Sequence, residues 1–555
     1  MNGGGLHAEF MIGHTPPHGA ARYSSADLGA LAALVVVAVA GFVTSPPDGG
    51  FWWTDAPRHA LDGAFILDLL RDLPMADPVG YAYEYYLRYP ALTVLFYPPL
   101  LHVVLAAAYA VFGVSALVAA GVEAVFHAGL LVALFVLARR WLRTPYALAA
   151  ALLAGAGPEV LVWARQIMLD VPAYAWLVAS AVAFVRWLDT DRPAALTAAA
   201  ALLVAAIYTK YNAGFILIPY ALAAASARGW TSLLSRRVVT TALVCAAALV
   251  PAAVLLVTFG GANIASVVGS QTTDLPRASL AAWTFYPDAL PGQIGWPTIA
   301  LAIWGAVVLR RTPSFTQPHR VFILAWAVVA YAIFSFIALR EVRHSLMLLA
   351  PVAVLAMTAL QHAERRLGRV AQVAALTLAV GTTAWGMFAR PAPAVVGHAA
   401  AARIVAALAP RDANVLFSGY RDGNFIFAMR SLGATARTVR ADKLLLRMFI
   451  ARERGVEDRG YDRAALLDLL RKHGLQYIVA EEDFWTDLPS LKALDTLLRD
   501  RTLFDEIARV PVESNTGSST TGLRVLRYLG PMDSPPAPLT LEMVGLGRTI
   551  SEDPR

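Results

Sequence analysis

Apolar runs of helix length recur along most of this chain, near 28–45, 98–112, 115–138, 145–162, 171–187, 194–209, 212–227, 238–258, 296–309, 321–339, 344–360 and 370–389. Crossing a bilayer as a helix takes about 20 apolar residues, whereas a barrel strand takes ~10. Runs of this length point to a polytopic α-helical membrane protein with about 11–13 transmembrane helices. Only 15% of the residues are charged and 58% are hydrophobic. A soluble domain carries nearer 25% charge. The single cysteine, Cys245, lies inside an apolar run, so neither a disulfide nor a thiolate metal site is available.

The net charge of +7 is distributed as an orientation signal, and nucleic acid is not an expected partner. Basic clusters fall at 139–143, 186–192, 228–237, 310–320 and 365–369, with two apolar runs between successive clusters. All five can therefore share one face, cytoplasmic by the positive-inside rule. Asp170, Lys210 and the segment 340–344 then fall on the outer face, as does everything after 389. Between the first outer loop and Arg139 two runs are counted where an odd number of crossings is required, so one is a re-entrant half-helix or the count is off by one.

Residues 1–27, with Gly3-Gly4-Gly5 and Pro16-Pro17, read as a flexible cytoplasmic tail. The run 28–45 lacks a basic flank and a small-residue cleavage site, so it reads as a retained span. The membrane domain extends over 28–390. Within it, 46–97 forms a first outer loop with an amphipathic helix at 60–73, apolar at Leu61, Phe65, Leu69 and Leu70 and polar at Asp62, Asp68 and Arg71. Tyr81, Tyr83, Tyr85, Tyr86 and Tyr89 follow, suited to the membrane interface or to sugar stacking. From 398 to 531 short strands (414–418, 476–480) alternate with a helix at 462–473, which predicts a small extracytoplasmic α/β domain. A loosely ordered tail, 532–555, closes the chain.

Ionisable residues near apolar surroundings are expensive and tend to be functional. Phe51-Trp52-Trp53-Thr54-Asp55-Ala56-Pro57-Arg58 sets a carboxylate and a cation beside two indoles at a membrane surface. Asp55 either acts chemically or caps the helix opened by Pro57; Asp170, before Pro172, has the same two readings. Lys210, Arg340, Arg343 and His344 are cations on the outer face, suited to lipid headgroups or to clamping a phosphate. Glu341 has Arg340 or Arg343 as a partner. Glu123 and His127, four apart in an apolar run, can pair with each other. Gly419-Tyr420-Arg421-Asp422-Gly423-Asn424 reads as a turn.

These residues resemble the GT-C superfamily of polyprenyl-phosphate-sugar-dependent glycosyltransferases. The nearest likeness is to the family 39 group of protein O-mannosyltransferases, aminoarabinose transferases and rhizobial galacturonosyltransferases. The likeness rests on Trp53-Thr54-Asp55, Tyr97-Pro98-Pro99-Leu100, Asp170-Val171-Pro172 and the basic segment Arg340 to His344, in that order. Two departures stand out. The acid pair common in the first loop is Asp55-Ala56 here, and a Lys before the Pro-Pro pair is Tyr97.

The resemblance implies an inverting transfer, at the periplasmic face of a bacterial inner membrane, from a polyprenyl-phosphate sugar to a lipid, glycan or protein acceptor. It casts Asp55 as general base, with Asp170 orienting the acceptor or Asp55, or sharing a divalent ion. Donor phosphate contacts fall to Arg58, Arg88, Lys210, Arg340, Arg343 and His344, and sugar or lipid contacts to Trp53 and Tyr97. Besides that possible divalent cation, the lipid-linked donor is the only other small molecule implied. The rival classes are a secondary transporter, which places its charges near the midplane of repeated broken helices, and a non-catalytic membrane assembly protein.

Overall fold

The computed structural model describes residues 23–46, 49–269, 275–448, 452, 455–517, 521–544 and 547–551. Gly3-Gly4-Gly5 and Pro16-Pro17 lie outside the described residues. The chain opens with α1 (Ser25–Val43), α2 (Ala56–Asp72), α3 (Pro78–Arg88), α4 (Leu100–Phe112) and α5 (Ala116–Arg139). It continues through α6 (Thr144–Gly155), α7 (Pro158–Trp163), α8 (Asp170–Thr190) and α9 (Pro193–Thr209). Among the described residues seven helices are long and apolar enough to cross a membrane, or eight if the bent pair Leu280–Ile294 and Trp296–Arg311 counts as one span. The runs expected at 98–112, 145–162 and 194–209 form α4, the broken pair α6–α7, and α9, whose α4, α6 and α9 segments have 13, 12 and 17 residues.

Burial sorts the helices into a centre and a rim. The segment Val342–Leu367 is enclosed on nearly every side, whereas Arg236–Phe259 buries Ala252 and turns its valines and leucines outward. A helix apolar all round and exposed all round is one that lipid solvates.

The five basic clusters do share a face. Asp189 pairs with Arg140 at 2.5 Å and with His319 at 3.1 Å. Asp191 takes Arg228 at 3.2 Å and Arg237 at 3.6 Å, and Arg143 pairs with Glu364. Exposed pairs are worth only ~0–1 kcal/mol each, so the mesh matters here because it shows which helix ends meet. Asp27, expected at the end of a flexible tail, is instead buried in the first turn of α1. It completes a capping box with Ser24 and accepts Arg139 Nε at 2.6 Å.

That contact also settles the crossing count. The start of α1 meets the end of α5, while Ser115 and Ala116 at the start of α5 line a cavity with Phe42 and Ser45 at the end of α1. The two helices therefore span together in opposite directions. At 13 residues α4 is about 20 Å long, short of the ~30 Å core. It leaves and returns on the side of the first loop, so only α5 crosses.

The C-terminal region builds a six-stranded mixed sheet, in the order β1-β7-β8-β6-β2-β3. Its strands are β1 (Val395–Val396), β2 (Asn414–Ser418), β3 (Arg437–Arg440), β6 (Leu475–Glu481), β7 (Phe504–Ser514) and β8 (Thr521–Tyr528). β2 lies parallel to β3 and β6 and is buried along its length, as a strand covered by helices on both faces must be. A small hairpin pairs β4 (Leu446–Met448) with β5 (Val456–Asp458). The expected tail contains a second one, β9 (Thr540–Met543) with β10 (Arg548–Ser551), which buries Leu541 and Ile550 against the domain.

This domain docks on the first loop. Asp422 accepts from Arg58 at 3.1 Å, Arg430 holds Asp68 at 2.7 Å, and Asn424 Nδ2 donates to Phe51 O at 2.9 Å. The turn 419–424 supplies the close approach. A Cβ on Gly423 would stand 2.9 Å from Pro57 Cγ. Tyrosines in and just after α3 bond to the first loop and to the domain. Tyr85 and Tyr81 donate to Asp68 and Asp72, Tyr89 donates to Ala434 O, and Tyr83 accepts from Arg548. Asp62, expected on the wet side of a surface helix, is fully buried instead, because α2 is covered by α4 and by the domain.

Candidate active site

Asp55 occupies the position before α2 but makes no capping bond. Its carboxylate instead accepts Trp53 Nε1 at 3.3 Å and stands near the Tyr97 hydroxyl. Burial, with the Asp55 charge second, holds that hydroxyl well above its ordinary range, so Tyr97 stays a donor. The capping role open to Asp55 from its position beside Pro57 is thus unfilled, and its carboxylate is partly exposed.

Asp170 begins α8, likewise without capping, and is buried. Lys210, where α9 ends and the chain turns, donates to Asp170 Oδ1 at 2.5 Å. Arg343 Nη1 lies 3.6 Å from Asp170 Oδ2. Breaking a buried ion pair typically costs 3–5 kcal/mol, so these residues hold one another in place. Arg343 also pairs with Glu341 through Nε, and His344 lies 4.0 Å from that same Glu341 carboxylate. The Arg343 guanidinium rests on Trp53 at 4.9 Å and Trp163 at 5.1 Å, rings that meet edge-on. Both Asp55 and Asp170 act electrostatically on Arg343. Two acids, two cations and an aromatic corner from four separated stretches of chain therefore meet at one place.

The remaining cations lie elsewhere. Arg58 is committed to Asp422, which also holds Arg440 at 2.8 Å. Arg88 reaches Asp412 at 3.7 Å on the surface of the domain. Arg340 turns away from Arg343 and donates to the carbonyls of Ser335, Ala338 and Leu275. Glu123 and His127 do not pair with each other. Glu123 accepts Met168 N at 3.0 Å, and His127 bonds Gly155 O.

The Arg165-Gln166 segment that Asp170 ends, given no role of its own from the sequence, completes the frame. Gln166 accepts from Trp52 N at 3.2 Å and donates to Pro393 O at 2.9 Å. Arg165 donates to Leu161 O and Arg390 O. The stretch before Asp170 thus ties the first loop to the chain leaving the membrane, and Trp163 in it supplies half of the aromatic corner. A polar Arg-Gln pair between apolar runs was the available signal.

The sequence profile of the family described as dolichyl-phosphate-mannose-protein mannosyltransferase matches residues 97–257. That span includes Tyr97, Asp170 and Lys210 but neither Asp55 nor Arg343. No curated protein matches the sequence at a significant level. Among solved structures, ArnT from Cupriavidus metallidurans bound to undecaprenyl phosphate is similar at a TM-score of 0.62, with 16% identity over 91% of this chain and 98% of that one. The chain has the GT-C fold. The Archaeoglobus fulgidus oligosaccharyltransferase is also similar in fold, at a TM-score of 0.54 and 14% identity over 82% of this chain and 69% of that one.

Proposed function

We propose that this protein transfers a sugar from a polyprenyl-phosphate donor to an acceptor at the membrane face that carries its C-terminal domain. The periplasmic side of a bacterial inner membrane is that face, with the basic mesh in the cytoplasm. One observation carries the reading: Asp55, Asp170, Lys210 and Arg343 converge at one end of the membrane helices, beside a tryptophan corner. A donor with a greasy tail and an anionic head meets both media at such a place.

The acceptor oxygen attacks the anomeric carbon from the face opposite the phosphate, so the bond to phosphate breaks with inversion. Asp55 takes the proton from the acceptor hydroxyl. Arg343 and Lys210 face the charge that grows on the departing phosphate, the electrostatic term that most often dominates such sites. Asp170 holds those two cations at fixed positions; it is a positioning residue, and His344 supports the same cluster through Glu341. Arg58, Arg88 and Arg340 have other partners, so phosphate contacts fall to Lys210 and Arg343. The sugar lies against Trp53 and Tyr97.

The test is turnover of radiolabelled polyprenyl-phosphate sugars by purified protein, wild type beside Asp55→Asn. Wild type moves label into product, and the variant loses about 100-fold or more at unchanged thermal stability, the usual scale for a general base. Equal turnover by the two proteins removes Asp55 from the mechanism.

A further inference from the structure

Three side chains that sugar transfer does not use are gathered behind Asp55: His59 and Asp62 on α2, and His102 on α4. All three are fully buried. His59 Nδ1 lies 3.1 Å from His102 Nε2, and His102 Nε2 lies 3.7 Å from Asp62 Oδ2. One ligand atom from each residue falls within 4.8 Å of the others.

Helix geometry explains the gathering. Residues 59 and 62 are three apart and so share a face of α2. His102 meets them because α4 packs unusually close. A Cβ on Gly63 would stand 2.6 Å from Leu105 Cβ, so only glycine admits the contact.

The donors suit an ion better than they suit one another. A tetrahedral centre with bonds of ~2.0–2.1 Å keeps its ligand atoms about 3.3 Å apart, and the two measured separations bracket that value. Asp62 accepts Thr93 N at 2.8 Å and Thr93 Oγ1 at 2.9 Å, the kind of outer hydrogen bonds that aim a ligating carboxylate. Among the described residues no Lys or Arg pairs with it. A buried carboxylate with no cation is costly, and a divalent ion supplies the missing charge. Two imidazoles and one carboxylate form a donor set that zinc accepts readily.

We infer that His59, Asp62 and His102 form a zinc-class divalent metal site that fastens α2 to α4, with water in the fourth position. The His59 ring packs against Tyr97 at 4.7 Å, and the Tyr97 hydroxyl lies near Asp55. The ion therefore stiffens the support of the general base without touching substrate.

The test uses the full chain, purified in detergent without an affinity tag or chelator. Elemental analysis is expected to find about one zinc per chain, and much less in His59→Gln/His102→Gln. Chelated wild type is expected to melt lower and to recover as zinc is added, by an amount that grows with zinc concentration. Cobalt in place of zinc gives the intense visible bands of a tetrahedral site. Substoichiometric zinc together with no melting response and no cobalt bands in wild type overturns the site, as does an unchanged metal content in the double variant. Should the double variant fail to fold, the wild-type melting response and cobalt spectrum decide alone. None of these readouts depends on sugar transfer.

Discussion

Asp170 is buried with two cations against it, and this makes its neighbourhood brittle in a definable way. Lys210→Met leaves the carboxylate with only the more distant Arg343. A loss of roughly 3 kcal/mol is expected, the lower end of the range for a broken buried pair. Adding Asp170→Asn removes the stranded charge and should restore most of the melting temperature while turnover stays lost. A double variant as unstable as Lys210→Met alone would show that the pair does not stabilise the fold. At this scale the acids were legible because each precedes a helix-opening proline. What the sequence could not say was that neither caps its helix, since a free carboxylate and a capping one are spelled identically. Lys210 and Arg343 were legible as cations against the positive-inside rule, but Arg58, Arg88 and Arg340 had the same signal. Only their partners in space separate the two groups.

The joint between the first loop and the C-terminal domain is built by elements rather than single side chains. The helix Asp422–Ser431 lies on α2, held by Arg58, Asp68 and the absence of a side chain at Gly423. Gly423→Leu is expected to cost about 1–3 kcal/mol by overpacking against Pro57, and to make the connection near Ala389 more open to protease. Limited proteolysis at equal folded fraction measures this; an unchanged cleavage rate would mean that the contact is dispensable. The reading of α2 as a surface helix failed here. Its pattern of apolar residues was seen correctly, but α4 covers the side that carries His59 and Asp62. Likewise α4 was counted among the spans by hydropathy, although its length allows it only to dip and return. Hydropathy records how apolar a helix is, and it does not record whether lipid or another helix lies against it.

Across the whole molecule the division into a basic face, a membrane layer and a covering domain followed from composition, because charge sidedness and run length are global properties. The six-stranded sheet was visible only as its two best strands, β2 and β6, whose partnered residues lie from 23 to 62 positions away in the chain. The domain also carries a pH dependence. Burial lowers His398 to about 4, helped by Arg421 and opposed by its bond to Tyr420 O and by Asp422. The unfolded chain, near 6.5, therefore takes up the proton first as pH falls. Stability present above pH 6.5 is lost between 6.5 and 4, at about 1.4 kcal/mol per unit from this one group. Thermal melts of the full chain over that interval should show the decline, and His398→Gln should flatten it. A variant with the same slope would assign the dependence to other groups.

The indole corner has a consequence for direction. The Arg343 guanidinium lies 4.9 Å from the Trp53 ring and 5.1 Å from the Trp163 ring, Glu341 takes its Nε, Asp170 lies 3.6 Å from its Nη1, and among the described residues no ion pair is made through its Nη2. In the proposed transfer, a donor phosphate would meet the guanidinium at Nη2, and that approach would set the side from which the attacking alcohol is admitted.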